Sequence, residues 1–481
     1  MLFNSIDFAV FLPIVFGIYW AIGNLRVQNF FLLLASFVFY GWWDIRFLSL
    51  LILSTCIDFF IGRFLHYSND EYKRKILLFI SIFSNLGILA FFKYFNFFID
   101  NLTIAFSFFG MPFHFRSLEI ILPVGISFYT FQTMSYTIDI YRRRMQPTSD
   151  LIAFSAYVSF FPQLVAGPIE RAKNLLPQFF IKRHFDYSQA VNASKQILWG
   201  FLKKLVIADN CATLADTFFN HHSDYTGSAL LLGAFFFTFQ IYGDFSGYSD
   251  IAIGVARLFG FELMKNFSFP YFSRDLAEFW RRWHISLSTW FRDYVYIPLG
   301  GNQGSTWVKL RNIFIIFILS GCWHGANWTY VVWGLLHALF FVPLLIFGKN
   351  RQHLDVVSFE KKLPSFKEVV SMMSTFIIVM LLWIFFRSDS LSTAMAILDK
   401  IFSFTLFTIP VFEQDGLALS TLILILFFTL VEWSGRTHAF AIEYTFSTAS
   451  RSIRWTFYGF LIALIGLFMQ TNGSPFIYFQ F

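Results

Sequence analysis

The chain is dominated by a series of apolar runs, many of which approach the length needed to cross a lipid bilayer. They lie at residues 8–22, 28–43, 47–62, 76–98, 119–141, 151–166, 196–208, 228–260, 310–323, 328–347, 369–387, 417–433 and 455–470. In a bilayer, a helix satisfies its backbone hydrogen bonds internally, so such runs favour helices. Of 481 residues, 57% are apolar and 14% charged, far from soluble usage. We predict an all-α polytopic membrane protein with roughly 10 to 13 helices crossing or entering the bilayer.

The distribution of basic residues predicts an orientation. The first run, from Phe8 to Ile22, has no basic stretch before it and no small-residue cleavage site, so we expect a retained span. Basic clusters at 63–75 and 142–144 follow the third and fifth runs, whereas the loop at 100–118 carries only Arg116. Because basic loops face the cytoplasm, the N-terminus is expected outside.

The middle of the chain differs from its two ends. Residues 168–204 and 265–311 mix basic, aromatic, Pro and Gly residues, which predicts interfacial helices and re-entrant loops around a cavity. Residues 348–367 form a polar segment that we expect to be a cytoplasmic connection. We predict one domain over 1–481, with N-terminal helices at 1–166, a core at 167–347, and the connection with C-terminal helices at 348–481.

Charge and cysteine content argue against several classes of function. The net charge is +7, but the basic residues cluster at the ends of apolar runs, so we expect no nucleic-acid partner. Cys56, Cys211 and Cys322 are too few and too scattered for a disulfide framework or a zinc site, and we predict no bound metal. A nucleophilic pair of Cys322 with His324 is an alternative, although buried cysteines usually act as small apolar residues.

His324 is the first candidate catalytic residue. It lies in the apolar and aromatic stretch from Leu319 to His337. An ionisable side chain in such a stretch indicates a functional site, and desolvation keeps the imidazole neutral and able to accept a proton. His324 is therefore a candidate general base. The alternative is a structural histidine whose hydrogen bonds are satisfied between packed helices.

Residues 279–302 contain a second group of candidates. Arg281 and Arg282 carry guanidinium groups that match phosphate oxygens, which makes them candidate cofactor-binding residues; the alternative is contact with lipid headgroups. His284 follows directly, and nothing in the spacing alone demands that it meets His324. Because arginines bracket His284, we expect it near a wetter opening, where His284→Asn loses roughly tenfold in rate or less.

Two acidic residues lie in the segment YGDFSGYSD at 242–250. Gly and Ser interrupt its apolar pattern, which suggests that Asp244 and Asp250 lie on unwound backbone lining a polar cavity. A structural alternative is that both carboxylates pair with the arginines between 274 and 292, because an unpaired carboxylate in a membrane is costly.

Several motifs, taken together, resemble those of the membrane-bound O-acyltransferase (MBOAT) family. They are WRRWHISLSTWFRDYVYIPLGG at 280–301, SGCWHGANWTYVVWGLLHA at 320–338, FQTMSYTIDIYR at 131–142, FFPQLVAGPIER at 160–171, YGDFSGYSDIAIG at 242–254 and FIYFQF at 476–481. The similarity covers nearly the whole chain. As a set the motifs are similar to those of the bacterial branch that contains the membrane subunits of alginate and peptidoglycan O-acetyltransferases and, more distantly, the D-alanyl transferase of teichoic acids.

This resemblance implies a fold, two site residues and a reaction. The fold is a set of helices around a tunnel, His324 corresponds to the family histidine, and His284 corresponds to the second family histidine. The implied reaction moves an acyl group, expected to be acetyl, from acetyl-CoA or another cytoplasmic acyl thioester to hydroxyls of an extracytoplasmic polysaccharide. A periplasmic acetyltransferase partner is expected, and the location is the bacterial inner membrane.

Two other functions stay open at this point. An O-acyltransferase acting on lipid, on protein, or on teichoic acid with a D-alanyl group would carry the same motifs. A transporter or flippase would also place polar residues on broken helices within the membrane, but the paired histidine motifs argue against it.

Overall fold

Helices form all of the regular structure in the part of the chain that is described. The computed structural model describes residues 1–111, 118–165, 167–359, 361–470 and 476–477. The α-helices are α1 (Ile6–Ala21), α2 (Leu25–Gly41), α3 (Ile45–Tyr67), α4 (Glu71–Phe108), α5 (Ile126–Tyr141), α6 (Leu151–Ser159), α7 (Phe161–Leu164), α8 (Ala172–Leu175), α9 (Tyr187–Phe201), α10 (Asp209–Asn220), α11 (Gly227–Leu258), α12 (Leu276–Arg282), α13 (Ile285–Phe291), α14 (Thr306–His324), α15 (Trp328–Ile346), α16 (Phe366–Arg387), α17 (Leu391–Ile401), α18 (Asp415–Gly435) and α19 (Arg451–Phe468). Three 3₁₀ turns (Leu176–Phe180, Pro270–Phe272, Phe404–Phe407) and two π-helical turns (Leu202–Ala208, Arg292–Tyr296) complete the set.

The helices include many that are able to span a membrane. Within the described ranges, eight are long and apolar enough to do so: α3, α4, α11, α14, α15, α16, α18 and α19. Three shorter apolar segments, α1, α2 and Leu151–Leu164, join them. Together they fall within the predicted range of ten to thirteen, and the prediction of an all-α polytopic membrane protein is confirmed.

The chain divides into two compact units. The first comprises Met1–Ala190 with Val255–Met264. Its core is aromatic: the ring of Phe160 lies 4.6 Å from that of Phe261, and Phe161 lies 5.5 Å from Phe39. The predicted single domain over 1–481 stays a prediction, because compactness alone does not tell whether a unit folds independently.

A polar cluster holds three helices of this first unit together. The Asp58 carboxylate on α3 accepts hydrogen bonds from Ser81 Oγ at 2.5 Å and from Asn85 Nδ2 at 2.7 Å, both on α4. Thr133 on α5 donates to Asn85 Oδ1 at 3.2 Å. All four side chains are buried. Each buried polar group therefore has a partner, which stabilises the packing of α3, α4 and α5.

The second unit comprises Val191–Gly254 and Lys265–Phe481. Local sequence signals set the ends of its helices. The Asp275 carboxylate accepts from the backbone N–H of Glu278 and begins α12, and Asn327 caps α15 in the same way. Ser365 and Glu368 form a reciprocal capping box that begins α16. The polar connection before α16 therefore ends where the sequence changes from a charged to an apolar pattern.

The helix α11 corrects the expectation of unwound backbone around Asp244 and Asp250. The helix is continuous from Gly227 to Leu258. A side chain at Gly247 would collide with the carbonyl oxygen of Gly200 and with Lys203. The glycine that suggested a break instead permits close packing of α11 against the backbone that leads into the first π-helical turn.

The two carboxylates of α11 pair with lysines and not with the arginines between 274 and 292. Lys203 Nζ lies 3.0 Å from Asp250 and 3.1 Å from Glu432. Lys204 Nζ lies 2.8 Å from Asp209 and 2.7 Å from Asp244. Both lysines are buried on the π-helical turn. The expected pairing of intramembrane carboxylates is correct in kind, but the partner residues were assigned wrongly.

The end of the chain is described only in part. Of the FIYFQF motif, Phe476 and Ile477 are described, and 478–481 lie outside the described residues. The backbone N–H of Ile477 donates to Asp244 Oδ2 at 2.6 Å, and the Phe476 ring lies 4.3 Å from Tyr248. Residues 112–117, including Arg116, also lie outside the described ranges.

Candidate functional site

A helical hairpin positions His324. It is the last residue of α14, and only three residues separate it from Trp328, the first residue of α15. The two helices pack closely, and a side chain at Gly321 would collide with the backbone of Tyr330. Small residues are what allow such an approach between membrane helices. The close hairpin places His324 against the first turns of α15.

Aromatic rings surround the imidazole of His324. The ring of Trp323 lies 4.9 Å away, Trp333 of α15 lies 5.2 Å away, and Phe386 of α16 lies 5.2 Å away. All three meet the imidazole at angles of 73° or more, edge to face. We call these three rings the aromatic enclosure. His324 is 3% exposed, so the enclosure largely excludes water from its imidazole.

His284 occupies a different kind of position, between two short helices. It joins α12 to α13 with a left-handed backbone, φ 42°. Non-glycine residues adopt this conformation rarely, and it persists where the surroundings hold it. Its backbone is held on both sides: Ile285 N–H donates to the Asn266 carbonyl, and Ser268 N–H donates to the Arg282 carbonyl.

The side chain of Asn266 holds the His284 imidazole. His284 Nδ1 lies 3.0 Å from Asn266 Oδ1, and Ser286 Oγ donates to the same oxygen at 2.9 Å. Asn266 Nδ2 in turn donates to Ser249 Oγ at 3.1 Å. Because an amide oxygen only accepts, His284 carries its proton on Nδ1, and Nε2 is the nitrogen able to accept one.

The burial of His284 contradicts the expectation of a wetter opening. It is 1% exposed, and the rings of Phe245 and Phe267 lie 4.7 Å and 6.4 Å away. Burial lowers the pKa of His284 from its ordinary value to about 3. The neighbouring arginines do not share one environment: Arg281 is exposed, whereas Arg282 is buried as His284 is.

Trp323 connects the two histidine environments. Its ring lies 5.8 Å from that of His284 and 4.9 Å from that of His324. The spacing of the two histidines in the sequence did not demand that they meet. The structure brings both imidazoles to one indole, and their roles stay predictions.

Partners within the chain engage both Arg281 and Arg282. Arg281 donates to the carbonyl oxygens of Asn350 and His353 at 2.8 and 2.7 Å. Arg282 forms a 2.7 Å ion pair with the buried Glu278. The contacts of Arg281 hold the connection before α16 against α12, whereas the Arg282 ion pair lies within α12. The prediction that these arginines bind a cofactor stays a prediction.

A large cavity lies beside the hairpin. Its volume is about 610 Å³, and its lining includes Trp280, Phe317, Ser320 and Phe341 on apolar walls. Arg292, Lys309 and Arg351 add basic groups to the lining. Ser320 lies one helical turn before His324 on the same face of α14. A cavity of this size fits an elongated small molecule with an anionic end.

A second, much smaller cavity lies next to Asn266, the residue that accepts a hydrogen bond from His284. Its volume is about 10 Å³, about enough for one water molecule. Lys203, Asp250, Lys265 and Asn266 contribute to its lining. Asp250 therefore does face a polar cavity, as the sequence suggested, although from an unbroken helix.

The cysteine alternative finds no support in the geometry of α14. Cys322 lies two residues before His324 on a regular helix. Residues at that spacing point to different sides, so a Cys322 thiol does not face the His324 imidazole. Among the residues that the structure describes, no group of three or more His, Cys, Asp or Glu side chains is placed to hold a metal ion.

Some residues of this site were not singled out from the sequence. Asn266 lies far in sequence from His284, and no local motif marks it. Trp323 and Trp333 lie in the same motif as His324, at 320–338. Their closeness to His324 in the sequence could have indicated that they contact it. Lys309 and Arg351 belong to separate segments, and only the fold places both at one cavity.

Comparison with known proteins gives the class of this site. The model of the MBOAT, membrane-bound O-acyltransferase family, matches residues 142–386, which include both histidines, α14 and α15. Neither histidine lines the large cavity, but Ser320, one helical turn before His324 on α14, does. The chain belongs to the membrane-bound O-acyltransferase family, and it is a multi-pass membrane enzyme, an O-acyltransferase.

Three relatives illustrate the similarity. The probable alginate O-acetylase AlgI of Pseudomonas aeruginosa is 40% identical over 88% of this chain and 80% of its own length. The peptidoglycan O-acetyltransferase of Helicobacter pylori is 33% identical over 83% of this chain and 79% of its own length. The teichoic acid D-alanyltransferase of Bacillus subtilis is 30% identical over 47% of this chain and 60% of its own length. The predicted family and enzyme class are confirmed.

Proposed function

We propose that this enzyme transfers an acetyl group from acetyl-CoA, or another acyl thioester on the cytoplasmic side, to hydroxyls of an extracytoplasmic polysaccharide such as alginate or peptidoglycan. The relatives that match most of the chain carry acetyl-transfer names, with alginate or peptidoglycan as acceptor. The observation that carries the proposal is the placement of two buried histidines on one indole, with Ser320, one helical turn before His324, in the lining of a cavity that carries basic groups.

His324 is the proposed general base. It takes the proton of the acceptor hydroxyl as the oxygen attacks the thioester carbonyl carbon. The carbon–sulfur bond then breaks, and the thiolate that leaves receives the proton from His324. The products are the ester and the free thiol, with no net proton uptake. The aromatic enclosure excludes water, which otherwise competes with the acceptor hydroxyl for the thioester.

His284 is the proposed second residue of the site, with an orienting role. Asn266 fixes its tautomer, so Nε2 is the nitrogen available as a neutral acceptor. A neutral, fixed imidazole orients a hydroxyl group by accepting a hydrogen bond from it. Burial keeps His284 neutral throughout the physiological pH range, because its pKa is lowered to about 3.

The donor is proposed to lie in the cavity of about 610 Å³. Lys309 and Arg351 supply positive charge for the phosphates of a CoA-type donor. The apolar walls toward Ser320 suit the thioester-bearing chain, which then points toward His324. Arg281 and Arg282 are weaker candidates for the phosphates, because backbone carbonyls and Glu278 already engage them.

The partner, the orientation and the location complete the proposal. We place the chain in the bacterial inner membrane with its N-terminus outside, which puts the connection at 348–367 and Arg351 in the cytoplasm. A separate periplasmic acetyltransferase receives the acetyl group or presents the polymer. The acetyl group passes to that partner directly or through an acyl-histidine intermediate. Both routes give the same products, an ester and a free thiol.

An acetyl-transfer assay tests the function. Purified protein in lipid vesicles is supplied with acetyl-CoA and an alginate or peptidoglycan fragment, with and without a candidate partner, and the release of free CoA is measured. We expect release that depends on both acceptor and protein. D-alanyl transfer that exceeds acetyl transfer favours the teichoic-acid alternative, for which the Bacillus subtilis relative is the supporting observation.

Cysteine labelling tests the orientation. In a variant that lacks the native cysteines, a membrane-impermeant thiol reagent added outside is expected to label Met111→Cys, which follows α4, and to spare Arg143→Cys. Both positions are exposed, so accessibility to the reagent reports the side of the membrane. The reverse pattern inverts the proposed orientation.

A further inference from the structure

A third buried histidine lies beside the site and has no role in the mechanism above. His337 on α15 is fully buried. Its Nδ1 accepts a hydrogen bond from the indole Nε1–H of Trp280 at 3.2 Å. Trp280 lies on α12, so this bond ties the short helix that precedes His284 to the hairpin that carries His324.

Trp280 forms part of the wall of the large cavity. Its ring lies 5.4 Å from Phe317, another lining residue, and 4.9 Å from His337. On the other side His337 packs against Trp333 at 4.9 Å, and Trp333 lies 5.2 Å from His324. The pair of Trp280 and His337 therefore lies between the cavity and the aromatic enclosure.

The chemistry of the bond argues against a purely packing role for His337. Because Nδ1 accepts, the imidazole proton is on Nε2. Within the described residues, Nε2 of His337 has no hydrogen-bond partner. A buried N–H without an acceptor destabilises a fold, and a phenylalanine of similar shape avoids that cost. The feature that a phenylalanine lacks is the acceptor for Trp280.

We propose that His337 is a positioning residue for the donor. It holds the indole of Trp280 flat in the cavity wall and keeps open the path of the thioester-bearing chain toward His324. Without the acceptor, the indole is free to rotate into the cavity and narrow it. This inference rests on the proposed function, since it takes the cavity as the donor site.

The test uses variants that separate the acceptor from the ring. His337→Phe keeps the ring and removes the acceptor, and we expect the KM for acetyl-CoA to rise about three- to tenfold, the range for loss of one neutral hydrogen bond. Little change in kcat is expected, because His337 does not touch the reacting atoms. In His337→Asn the amide oxygen replaces Nδ1 at the same distance from the backbone, so KM is expected within about twofold of the parent.

A double-mutant cycle and a matched control complete the test. Trp280→Phe alone is expected to raise KM, and adding His337→Phe is expected to have no further effect, because both changes remove one interaction. Trp433→Phe removes an indole that donates to Lys362 away from the cavity, and it is expected to leave KM unchanged. Melting temperatures of all variants report whether folding is intact.

The outcomes separate this inference from the proposed function. A parent protein that transfers no acetyl group from acetyl-CoA contradicts the proposed donor. An active parent with an unchanged KM in His337→Phe, or additive effects in the double variant, overturns the positioning role alone. A lower kcat at unchanged KM places His337 in the chemical step and also overturns it.

Discussion

The two histidines of the site are held by different means. His324 ends a long helix and lies against three aromatic rings. His284 lies in a strained turn, and a hydrogen bond from its Nδ1 to Asn266 sets its ring. Both are almost fully buried, so exposure does not distinguish them. Three rings pack closely around the imidazole of His324, and a chain of hydrogen bonds through Asn266 and Ser249 orients the imidazole of His284.

This difference suggests a division of roles. An imidazole whose Nδ1 is bonded to an amide oxygen keeps one tautomer, which suits an orienting residue. A ring held by aromatic packing in a dry enclosure suits the proton transfer itself, because its surroundings restrict its position and exclude water. Loss of the base is then expected to lower the rate of acetyl transfer more than loss of the orienting residue does. The variants below test that order.

The largest effect is expected for His324→Ala. Removal of a general base lowers the rate about 10²- to 10⁴-fold, and acetyl transfer at saturating acetyl-CoA measures it. Thermal unfolding of the purified protein shows whether the variant is folded. The matched control is His66→Ala, an exposed histidine at the end of α3, which is expected to keep parental activity. Normal transfer by His324→Ala is incompatible with its role as base.

His284→Asn is expected to have a smaller but clear effect. The sequence-based figure of roughly tenfold or less assumed that water replaces the lost hydrogen bond, and the burial of His284 removes that assumption. We expect a loss of about ten- to a hundredfold, equivalent to leaving a buried group unsatisfied at ~1–3 kcal/mol. A loss equal to or larger than that of His324→Ala, in the same initial-rate assay, reverses the assigned roles.

Asn266→Ala tests whether the orienting role depends on the hydrogen bond. The change removes the oxygen that accepts from both His284 and Ser286, and we expect about a tenfold loss in kcat. In the background of His284→Asn, the same change is expected to add little, because both act on one imidazole. Independent, multiplicative losses contradict this and give Asn266 a separate role.

Much of the fold was predictable, because the apolar runs correspond to helices. The run at 310–323 became α14 and the run at 328–347 became α15. His324 was singled out because an ionisable residue in an apolar aromatic stretch is rare, and His284 from its motif; the roles of both stay predictions. The local sequence pattern was sufficient to predict properties that depend only on neighbouring residues, such as the length of an apolar helix.

The errors arose where the relevant neighbour is distant in sequence. Glycine and serine around Asp244 indicate a break in the helix only if no other segment packs against them. The backbone at Gly200 packs against Gly247, and the helix is continuous. The partners of Asp244 and Asp250 are lysines on a π-helical turn, and no spacing rule connects these to α11. Likewise, the arginines beside His284 did not predict its burial, because Arg282 is itself buried and pairs with Glu278.

The smallest effect is expected at the basic lining of the cavity, which distinguishes donor binding from the role of either histidine. Lys309→Ala and Arg351→Ala each remove one charge that is partly screened by solvent, so we expect the KM for acetyl-CoA to rise about two- to fivefold with kcat unchanged. Acetyl-pantetheine, which lacks the phosphates, is the matched substrate, and its KM is expected to be the same for parent and variants. Lys367→Ala on α16 is exposed and does not line the cavity, so it controls for the loss of one positive charge. If the variants impair both donors equally, Lys309 and Arg351 do not act through the phosphates of the donor.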